Sequence, residues 1–307
     1  MVYSPKIIVV GGVNVDTTFE VRVLPAEGQS VSATGSYTSI GGKGLNQALA
    51  ARRAGVPVAI IGATGDDDGG QMIRNFLAAE DINTEFLLQI DGASTGRAFI
   101  VLDQNARNLI VGQSGARILP EAPLIQDITN AWEGWRGVDF VAANGETTSS
   151  FVREIFDTAR NKEILTAWNP SPMPTDPAPL LRRTDILVLN QTEASELLGV
   201  DRSPETLASE LRAISPREVV LTLGEEGCML VNDEIVHVPA RAVQARDPTA
   251  AGDTFLGYFL SSRSRGCTFR EAAEIASTAA SLCVQEKGAA ATIPRRESVL
   301  ETLTAPL

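Results

Sequence analysis

The run Ile7-Ile-Val-Val-Gly-Gly-Val13 is a continuous apolar segment near the start of the chain. Unbroken apolar runs of this kind are typical of strands buried on both faces of a parallel sheet. Asn14 and Asp16 follow it directly. Because ligands of open parallel sheets gather at the carboxyl ends of the strands, these two residues could bind a vicinal diol, although both residue types are also common in turns.

Similar apolar runs recur and alternate with helical patterns. The strands predicted from them lie at 58–61, 140–143, 164–167, 186–189 and 219–223; the helices lie at 45–54, 72–79, 151–160 and 207–214, with two long helices at roughly 250–265 and 269–286. Alternation of strand and helix predicts an α/β fold of three layers, α/β/α, with a mostly parallel central sheet.

Four segments alternate apolar with polar residues instead, at 16–23, 31–40, 97–102 and 108–111, and the last two flank a turn at 104–107. This pattern predicts a small antiparallel sheet with one polar face. We expect it to be a β-sheet lid built from two excursions of the chain, roughly 14–40 and 95–113, within a single domain spanning 1–307.

Composition excludes several classes of protein. The formal charge of −12 argues against nucleic acid as a partner, and the three cysteines have no paired spacing for a zinc site or disulfides. The single histidine, His237, lies in a predicted strand, which disfavours Ser-His and Cys-His mechanisms. No apolar run is long enough to cross a bilayer, and the first residues lack a signal-peptide pattern, so we expect a cytoplasmic protein without a membrane partner.

The segment Asp247-Pro-Thr-Ala-Ala-Gly-Asp253 carries the strongest chemical signal. Small residues before a predicted helix let backbone N–H groups approach phosphate oxygens. A carboxylate would repel phosphate there, so Asp253 is interpreted as a base that removes a proton from an attacking hydroxyl. The alternative is an Asp that only caps the helix.

Other strand ends add candidates. Gly41-Gly-Lys-Gly-Leu-Asn46 lacks the spacing of a P-loop, and either binds phosphate or a polyol, or is a plain glycine turn. Glu146 follows the strand at 140–143. Glu193, in Asn190-Gln-Thr-Glu193, either holds hydrated Mg²⁺ or favours a helix start, and Thr222 to Gly227 could line a nucleotide. Asp66 to Asp68 is interpreted as a helix cap.

In order and spacing, these segments resemble the ribokinase-like carbohydrate kinases, the PfkB family, along nearly the whole chain, together with Asn169-Pro170 and Lys287-Gly-Ala-Ala-Ala-Thr292. The resemblance implies a kinase that uses ATP, with Mg²⁺ and a monovalent cation (K⁺), and a homodimer contact through the lid. It implies Asp253 as the base, with the backbone of Gly252 and Ala251 as an anion hole.

The remaining site residues implied by the resemblance fall into three groups. The sugar would contact Asn14, Asp16, Gly42, Lys43, Asn46 and Glu146. The nucleotide would contact Asn190, Thr222, Leu223, Gly224, Glu225, Glu226, Gly227 and Gly252, with Glu193 holding Mg²⁺ through water. The monovalent cation would be bound by Asp247, Thr249, Cys283, Glu286, Gly288 and Thr292.

Within the family, Asn14, Asp16 and the Gly-Lys-Gly run favour a kinase of ribose or deoxyribose. Kinases of fructose, nucleosides or phosphosugars stay open, as does a catalytically idle sugar-binding regulator. Tyr258 departs from the family pattern, which usually has Ala or Gly there, so the helix must accommodate the ring or turn it toward solvent.

Overall fold

A large sheet and a small one organise the chain. The structure is a computed structural model that describes residues 4–105, 107–117, 126–128, 130–132, 137–214 and 217–304. The predictions of a single domain spanning 1–307 and of a turn at 104–107 include residues outside these ranges: 1–3, Ala106, 118–125, 129, 133–136, 215–216 and 305–307.

Strands and helices alternate along most of the chain. The strands are β1 (Ile7–Val10), β2 (Asn14–Val21), β3 (Gly35–Gly41), β4 (Val58–Gly65), β5 (Asn83–Ile90), β6 (Gly96–Asp103), β7 (Asn108–Gln113), β8 (Phe140–Asn144), β9 (Leu165–Asn169), β10 (Ile186–Asn190), β11 (Glu218–Thr222), β12 (Cys228–Val231) and β13 (Ile235–Val238). The helices are α1 (Lys43–Arg53), α2 (Asp68–Ala79), α3 (Ser149–Asn161), α4 (Ala178–Leu181), α5 (Gln191–Leu198), α6 (Pro204–Ile214), α7 (Ala251–Ser264), α8 (Phe269–Cys283) and α9 (Arg296–Thr304).

Nine strands of the described part form the central sheet, in the order β13-β12-β11-β10-β9-β8-β1-β4-β5. The pairs from β11 to β5 are parallel, whereas β12 and β13 join antiparallel at one edge. β1 shows why both faces are apolar, since Ile7 and Val9 enter one buried cluster and Ile8 and Val10 enter the other. Helices α1, α2, α7, α8 and α9 cover the first face, and α3 to α6 cover the second. The three-layer prediction is confirmed.

The small sheet contains the four described strands β3-β2-β6-β7, drawn from both predicted excursions. The prediction of an antiparallel sheet is confirmed for β2–β3 and β6–β7 but is wrong for β2–β6, which runs parallel because the chain passes through α1, β4, α2 and β5 between these two strands. β2 begins at Asn14, which pairs with Gly41 of β3 and with Gly96 of β6. The prediction of a strand across 31–34 was wrong: β3 begins at Gly35, and the exposed segment before it follows β2 only as far as the bond from Thr34 N to Glu20 O (2.8 Å), because β2 ends at Val21. The β6–β7 hairpin formed as predicted.

Two other predictions concerned the ends of helices. α8 ends at Cys283 and not at 286, because the Val284 carbonyl accepts from the Arg246 and Asp247 amides, at 2.7 and 3.1 Å. Asp67 caps α2 as predicted, with its carboxylate accepting from Gly70 N. Across the described residues, no helix combines the length and apolar character needed to cross a bilayer.

Candidate active site

Asp253 is the third residue of α7, and the turn that precedes it is unusual. Ala250 adopts a left-handed conformation with φ of 61°, and Ala251 N donates to Pro248 O at 3.2 Å. The helix-cap alternative for Asp253 is wrong, because the N-cap is Ala250 and makes no side-chain cap. The Asp253 carboxylate instead points to α1, where Asn46 Nδ2 donates to Oδ2 (3.1 Å) and Gln47 Nε2 donates to Oδ1 (2.9 Å).

The backbone around Asp253 leaves room on one side. Gly252 is exposed, and a methyl group added at its Cα would meet nothing within 4 Å. The Ala251 amide is already engaged within the loop. Gly252 is therefore the stronger candidate of the two predicted anion-hole residues.

The predicted sugar residues gather at the ends of β1 and β8 and the start of α1. Asn14 is 8% exposed, and its Oδ1 has no partner, nor has Oδ1 of Asp16 or of Asn46. A side chain on Gly41 would overlap the Asp16 carboxylate, and one on Gly42, whose φ is 96°, would meet Gly12 O. Lys43 N donates to Glu146 Oε2 at 2.8 Å, which joins α1 to the loop after β8. Three buried acceptors facing this end of the sheet suit hydroxyl donors of a polyol.

Three amide side chains complete the site, and the sequence interpretation gave none of them a role. Gln47 Oε1 accepts from Asn144 Nδ2 (3.2 Å), and Gln47 Nε2 lies 3.4 Å from Asn169 Oδ1. Asn144 and Asn169 are the paired last residues of β8 and β9, so the strand-end argument could have found them. Nothing in the pattern of α1 distinguished Gln47, because a helical glutamine is normally a surface residue.

Charges around Asp253 oppose one another. Burial raises the pKa of Asp253, while Lys43 and the hydrogen bonds from Asn46 and Gln47 oppose that rise and Glu193 adds to it. Burial alone would lower the pKa of Lys43, but the carboxylates of Asp253, Glu193 and Glu146 outweigh it and hold the pKa above its usual value. Lys43 therefore stays protonated, and its positive charge favours the ionised form of the Asp253 carboxylate.

Asp16 is the second perturbed acid of the site. Its burial, with a smaller contribution from the charge of Glu146, raises the pKa to about 6 from 3.8. An acid in such a pocket binds a hydroxyl donor more strongly once ionised, because the hydrogen bond then involves a charged acceptor. Protonation of Asp16 should therefore weaken its hydrogen bond to a bound hydroxyl donor.

The predicted nucleotide residues follow the next two strands. Asn190 and Glu193 form a capping box on α5, with Glu193 N donating to Asn190 Oδ1 and Asn190 N donating to Glu193 Oε2. The helix-start alternative for Glu193 is thus realised, and Asn169 Nδ2 also reaches its Oε2 at 3.4 Å. Beyond β11, Leu223 is buried while Gly224, Glu225 and Glu226 are exposed in a 3₁₀ turn. Leu223 N and Gly227 O close that turn at 2.8 Å. Thr222 Oγ1 bonds Leu189 O of β10.

The six residues predicted for a monovalent cation come together beside the loop. Asp247 accepts from Gly288 N (3.0 Å) and Thr249 N (2.9 Å). Cys283 Sγ lies 3.1 Å from Thr292 Oγ1 and 3.7 Å from Thr249 O, and Glu286 N bonds Cys283 O. Among the described residues, no three His, Cys, Asp or Glu side chains form a metal cluster. Backbone carbonyls would have to be the main ligands.

Tyr258 is accommodated in the interior and does not turn to solvent. Its ring is 1% exposed and its hydroxyl donates to Pro294 O at 2.7 Å. Burial raises the pKa of its phenol well above 10. The residue ties α7 to the segment before α9.

A family model described as "pfkB family carbohydrate kinase" matches residues 4–296. The chain belongs to this family. It is 31% identical over 301 residues to a ribokinase of Staphylococcus aureus, covering 96% of this chain and 98% of the relative. It is 29% identical over 314 residues to a deoxyribokinase of Salmonella typhi, covering 97% and 98%.

Among solved structures, the chain resembles Arabidopsis thaliana ribokinase complexed with ribose and ATP. The TM-score is 0.89 with 28% identity, covering 99% of this chain and 100% of the other. This pfkB family chain therefore has the ribokinase fold and is an ATP-dependent carbohydrate kinase. The likeness also supports the description of the four-stranded sheet as a lid.

Proposed function

We propose that the protein transfers the γ-phosphoryl group of ATP to the hydroxymethyl group of a pentose, with ribose as the preferred substrate. The observation that carries the proposal is Asp253, a buried carboxylate at the start of α7 held by two amide donors. The unpartnered acceptors of Asn14, Asp16 and Asn46 complete the support on the sugar side. The names of the relatives, ribokinases for the most part, point to the same substrate.

Each proposed role follows from chemistry that the residues can perform. Asp253 takes the hydroxymethyl proton as the sugar oxygen forms its bond to the γ-phosphorus and the bond to the bridging oxygen of ADP breaks. The amide of Gly252 stabilises the charge on the transferring group, with Ala251 as its neighbour in the loop. Asn14, Asp16, Gly42, Lys43, Asn46 and Glu146 would bind the sugar.

The nucleotide and its metal ions would occupy the other half of the site. Asn190, Gly252 and the turn from Thr222 to Gly227 would contact ATP, and Glu193 would hold Mg²⁺ through water, which suits an ion that keeps most of its hydration shell. Mg²⁺ would neutralise phosphate charge. Asp247, Thr249, Cys283, Glu286, Gly288 and Thr292 would hold K⁺, which supplies fixed positive charge beside the anion loop.

A coupled ADP-release assay tests the proposal with ribose, deoxyribose, fructose, a nucleoside and fructose 6-phosphate. We expect the highest kcat/KM for ribose, and Asp253→Asn should lower kcat at least about 100-fold while both substrates still bind. Near-normal turnover in Asp253→Asn would refute the role of Asp253 as the base. If the parent protein turned over none of the sugars, a catalytically idle regulator would be favoured instead. Replacing K⁺ with tetramethylammonium should lower kcat if the cation site functions.

Deoxyribose is the second candidate, favoured by the Salmonella typhi relative. It lacks the 2-hydroxyl, so a site that binds this hydroxyl through buried acceptors should discriminate strongly against it. If kcat/KM for deoxyribose exceeds that for ribose, the ribose assignment is wrong but the kinase assignment stands.

We also propose a homodimer through the lid of a cytoplasmic enzyme. Phe99 pairs with Val111 and Val101 with Leu109 across β6 and β7, which places these side chains on one face. Phe99, Leu109 and Val111 are 37%, 47% and 67% exposed, so an apolar surface is available for a second copy. Sedimentation of Val111→Lys should show a monomer where the parent protein is a dimer; a parent monomer would contradict the contact.

A further inference from the structure

Gln47 lies at the junction of the sugar side, the nucleotide side and Asp253. Its amide uses both kinds of atom: Nε2 donates to Asp253 Oδ1 at 2.9 Å and approaches Asn169 Oδ1 at 3.4 Å, while Oε1 accepts from Asn144 Nδ2 at 3.2 Å. Gln47 and Asn144 are each 1% exposed. A glutamine so buried on a helix is costly unless its amide is bonded, which points to a purpose for those bonds.

The hydrogen bonds form a chain with one direction. Lys43 N donates to Glu146 Oε2 (2.8 Å), Glu146 N donates to Asn144 Oδ1 (3.0 Å), Asn144 Nδ2 donates to Gln47 Oε1, and Gln47 Nε2 donates to Asp253 Oδ1. Each amide is thereby oriented by its neighbour. If the Gln47 amide were turned over, its oxygen would face the carboxylate of Asp253 and its NH₂ would face the NH₂ of Asn144. Only the observed orientation therefore makes both hydrogen bonds.

Room for this chain is built into the first strand and its loop. A side chain on Gly11 would overlap Nδ2 of Asn144, so the glycine leaves the space in which the asparagine reaches Gln47. The nucleotide half is joined as well, because Asn169 Nδ2 bonds Val188 O (3.0 Å) and lies 3.4 Å from Glu193 Oε2. Gln47 therefore contacts groups that are fixed by β8, β9 and α7 together.

We propose that Gln47, supported by Asn144, is a positioning residue that orients the Asp253 carboxylate for proton removal. This inference rests on the proposed function of Asp253. Gln47 holds Oδ1 while Asn46 holds Oδ2, and each oxygen keeps a second lone pair for the sugar hydroxyl. A base held from both sides cannot rotate away from the hydroxyl, and a small misplacement of a reacting group lowers turnover strongly.

The same contact tunes the base. Other charged or titratable groups that act on Asp253 are Lys43 on α1, Glu193 on α5 and Cys283 on α8. A donor to a carboxylate favours its ionised form. Losing the Gln47 donor should therefore make Asp253 harder to ionise. Because the base must be ionised to accept a proton, the acid limb of the activity profile should move to higher pH.

The test is Gln47→Met, which keeps an unbranched chain of similar length but removes the amide. We expect kcat to fall roughly 10- to 100-fold with sugar and ATP KM changed less than about 3-fold, and the acid limb of kcat to move up by roughly one pH unit. Ser261→Ala is the matched control: it removes another buried contact between α7 and α1, from Ser261 Oγ to Ala51 O (2.8 Å), and should move neither kcat nor the acid limb.

Asn144→Ala provides the second measurement, including the case in which Gln47→Met does not fold. It should lower kcat and move the acid limb in the same direction but more weakly, and in both respects the double variant should be no worse than Gln47→Met, because Asn144 acts on Asp253 through Gln47. The bond from Glu146 N to Asn144 Oδ1 is lost as well, so the sugar KM is not part of this comparison. An unchanged acid limb and kcat in both folded variants would overturn the inference, as would fully additive effects. Asp253→Asn assayed in parallel separates the cases: if it stays active the proposed function fails, whereas if it is inactive and Gln47→Met is normal only the positioning role fails.

Discussion

Neutralising Asp16 should make the protein more stable and a poorer sugar binder. The Asp16 carboxylate has a buried oxygen without a partner, and its pKa is about 6 in the folded chain against an ordinary 3.8. A carboxyl whose pKa is higher in the folded chain than in the unfolded chain destabilises the folded state increasingly as the pH rises from the unfolded-state pKa to the folded-state pKa. Asp16→Asn removes this penalty.

The size of the effect follows from the two pKa values. Their difference of about 2.2 units, from about 6 to 3.8, corresponds to about 3 kcal/mol of unfolding free energy above pH 7, at 1.36 kcal/mol per unit. At about pH 5, where most of the folded molecules are already protonated, the gain should shrink to roughly half, and near pH 4 to about 0.5 kcal/mol. Loss of the charged acceptor should raise the sugar KM by roughly 10- to 100-fold.

Urea unfolding followed by tryptophan fluorescence at several pH values measures the stability difference, and the coupled assay measures KM. Asp103→Asn serves as a control of opposite sign: despite its burial, hydrogen bonds from Arg107 and Asn105 lower the pKa of Asp103, so neutralising it should destabilise the lid. Equal or lower stability of Asp16→Asn at about pH 7.5, or a gain that does not depend on pH, would refute the reasoning.

Three shorter predictions concern the loop, the lysine and the ring. Gly252→Ala should fold with unchanged or slightly higher stability, since the added methyl group meets nothing within 4 Å. Its kcat should fall at least about 10-fold, because the methyl group occupies the side predicted to bind phosphate. A normal kcat would contradict that placement. Lys43→Met should raise the pKa of Asp253 further and shift the acid limb of the kcat profile to higher pH, whereas an unmoved limb would show that Lys43 does not act on the base. Tyr258→Phe should cost about 1–2 kcal/mol in urea unfolding through loss of the bond to Pro294 O, with kcat unchanged; a drop in kcat would place the ring in the catalytic machinery.

Several features could be predicted from short segments because their causes are local. The apolar run at Ile7 to Val10 became β1, buried on both faces, and the period-two segments around 97–111 became the β6–β7 hairpin. Strand-end position alone nominated Asn14, Asp16 and Glu146, since parallel strands deliver their carboxyl ends to one edge. The same rule applied to β8 and β9 would have added Asn144 and Asn169.

Local patterns left the outcome open, or predicted it wrongly, where hydrogen bonds made only in the folded chain decide it. Residues 31–34 alternate like a strand, but β2 ends at Val21, so β3 begins only at Gly35, just after Thr34 N donates to Glu20 O (2.8 Å). Glu193 belongs to a capping box, a bond that its spacing from Asn190 allowed but did not by itself establish. Ala251 was nominated for the anion hole, yet its amide is engaged by Pro248 O.

The layered α/β fold, the lid, the loop before Asp253 and the membership of a kinase family could all be predicted from the amino-acid sequence, because hydrophobic periodicity, glycine placement and motif order are properties of neighbouring residues. The hydrogen-bond partners of the Asp253 carboxylate could not be predicted in this way. Residues 47 and 253 are 206 positions apart, and the buried contact between them exists because α1 and α7 pack side by side on one face of the sheet. Burial and charge from such distant segments set the ionisation of Asp253, and no short stretch of sequence contains that information.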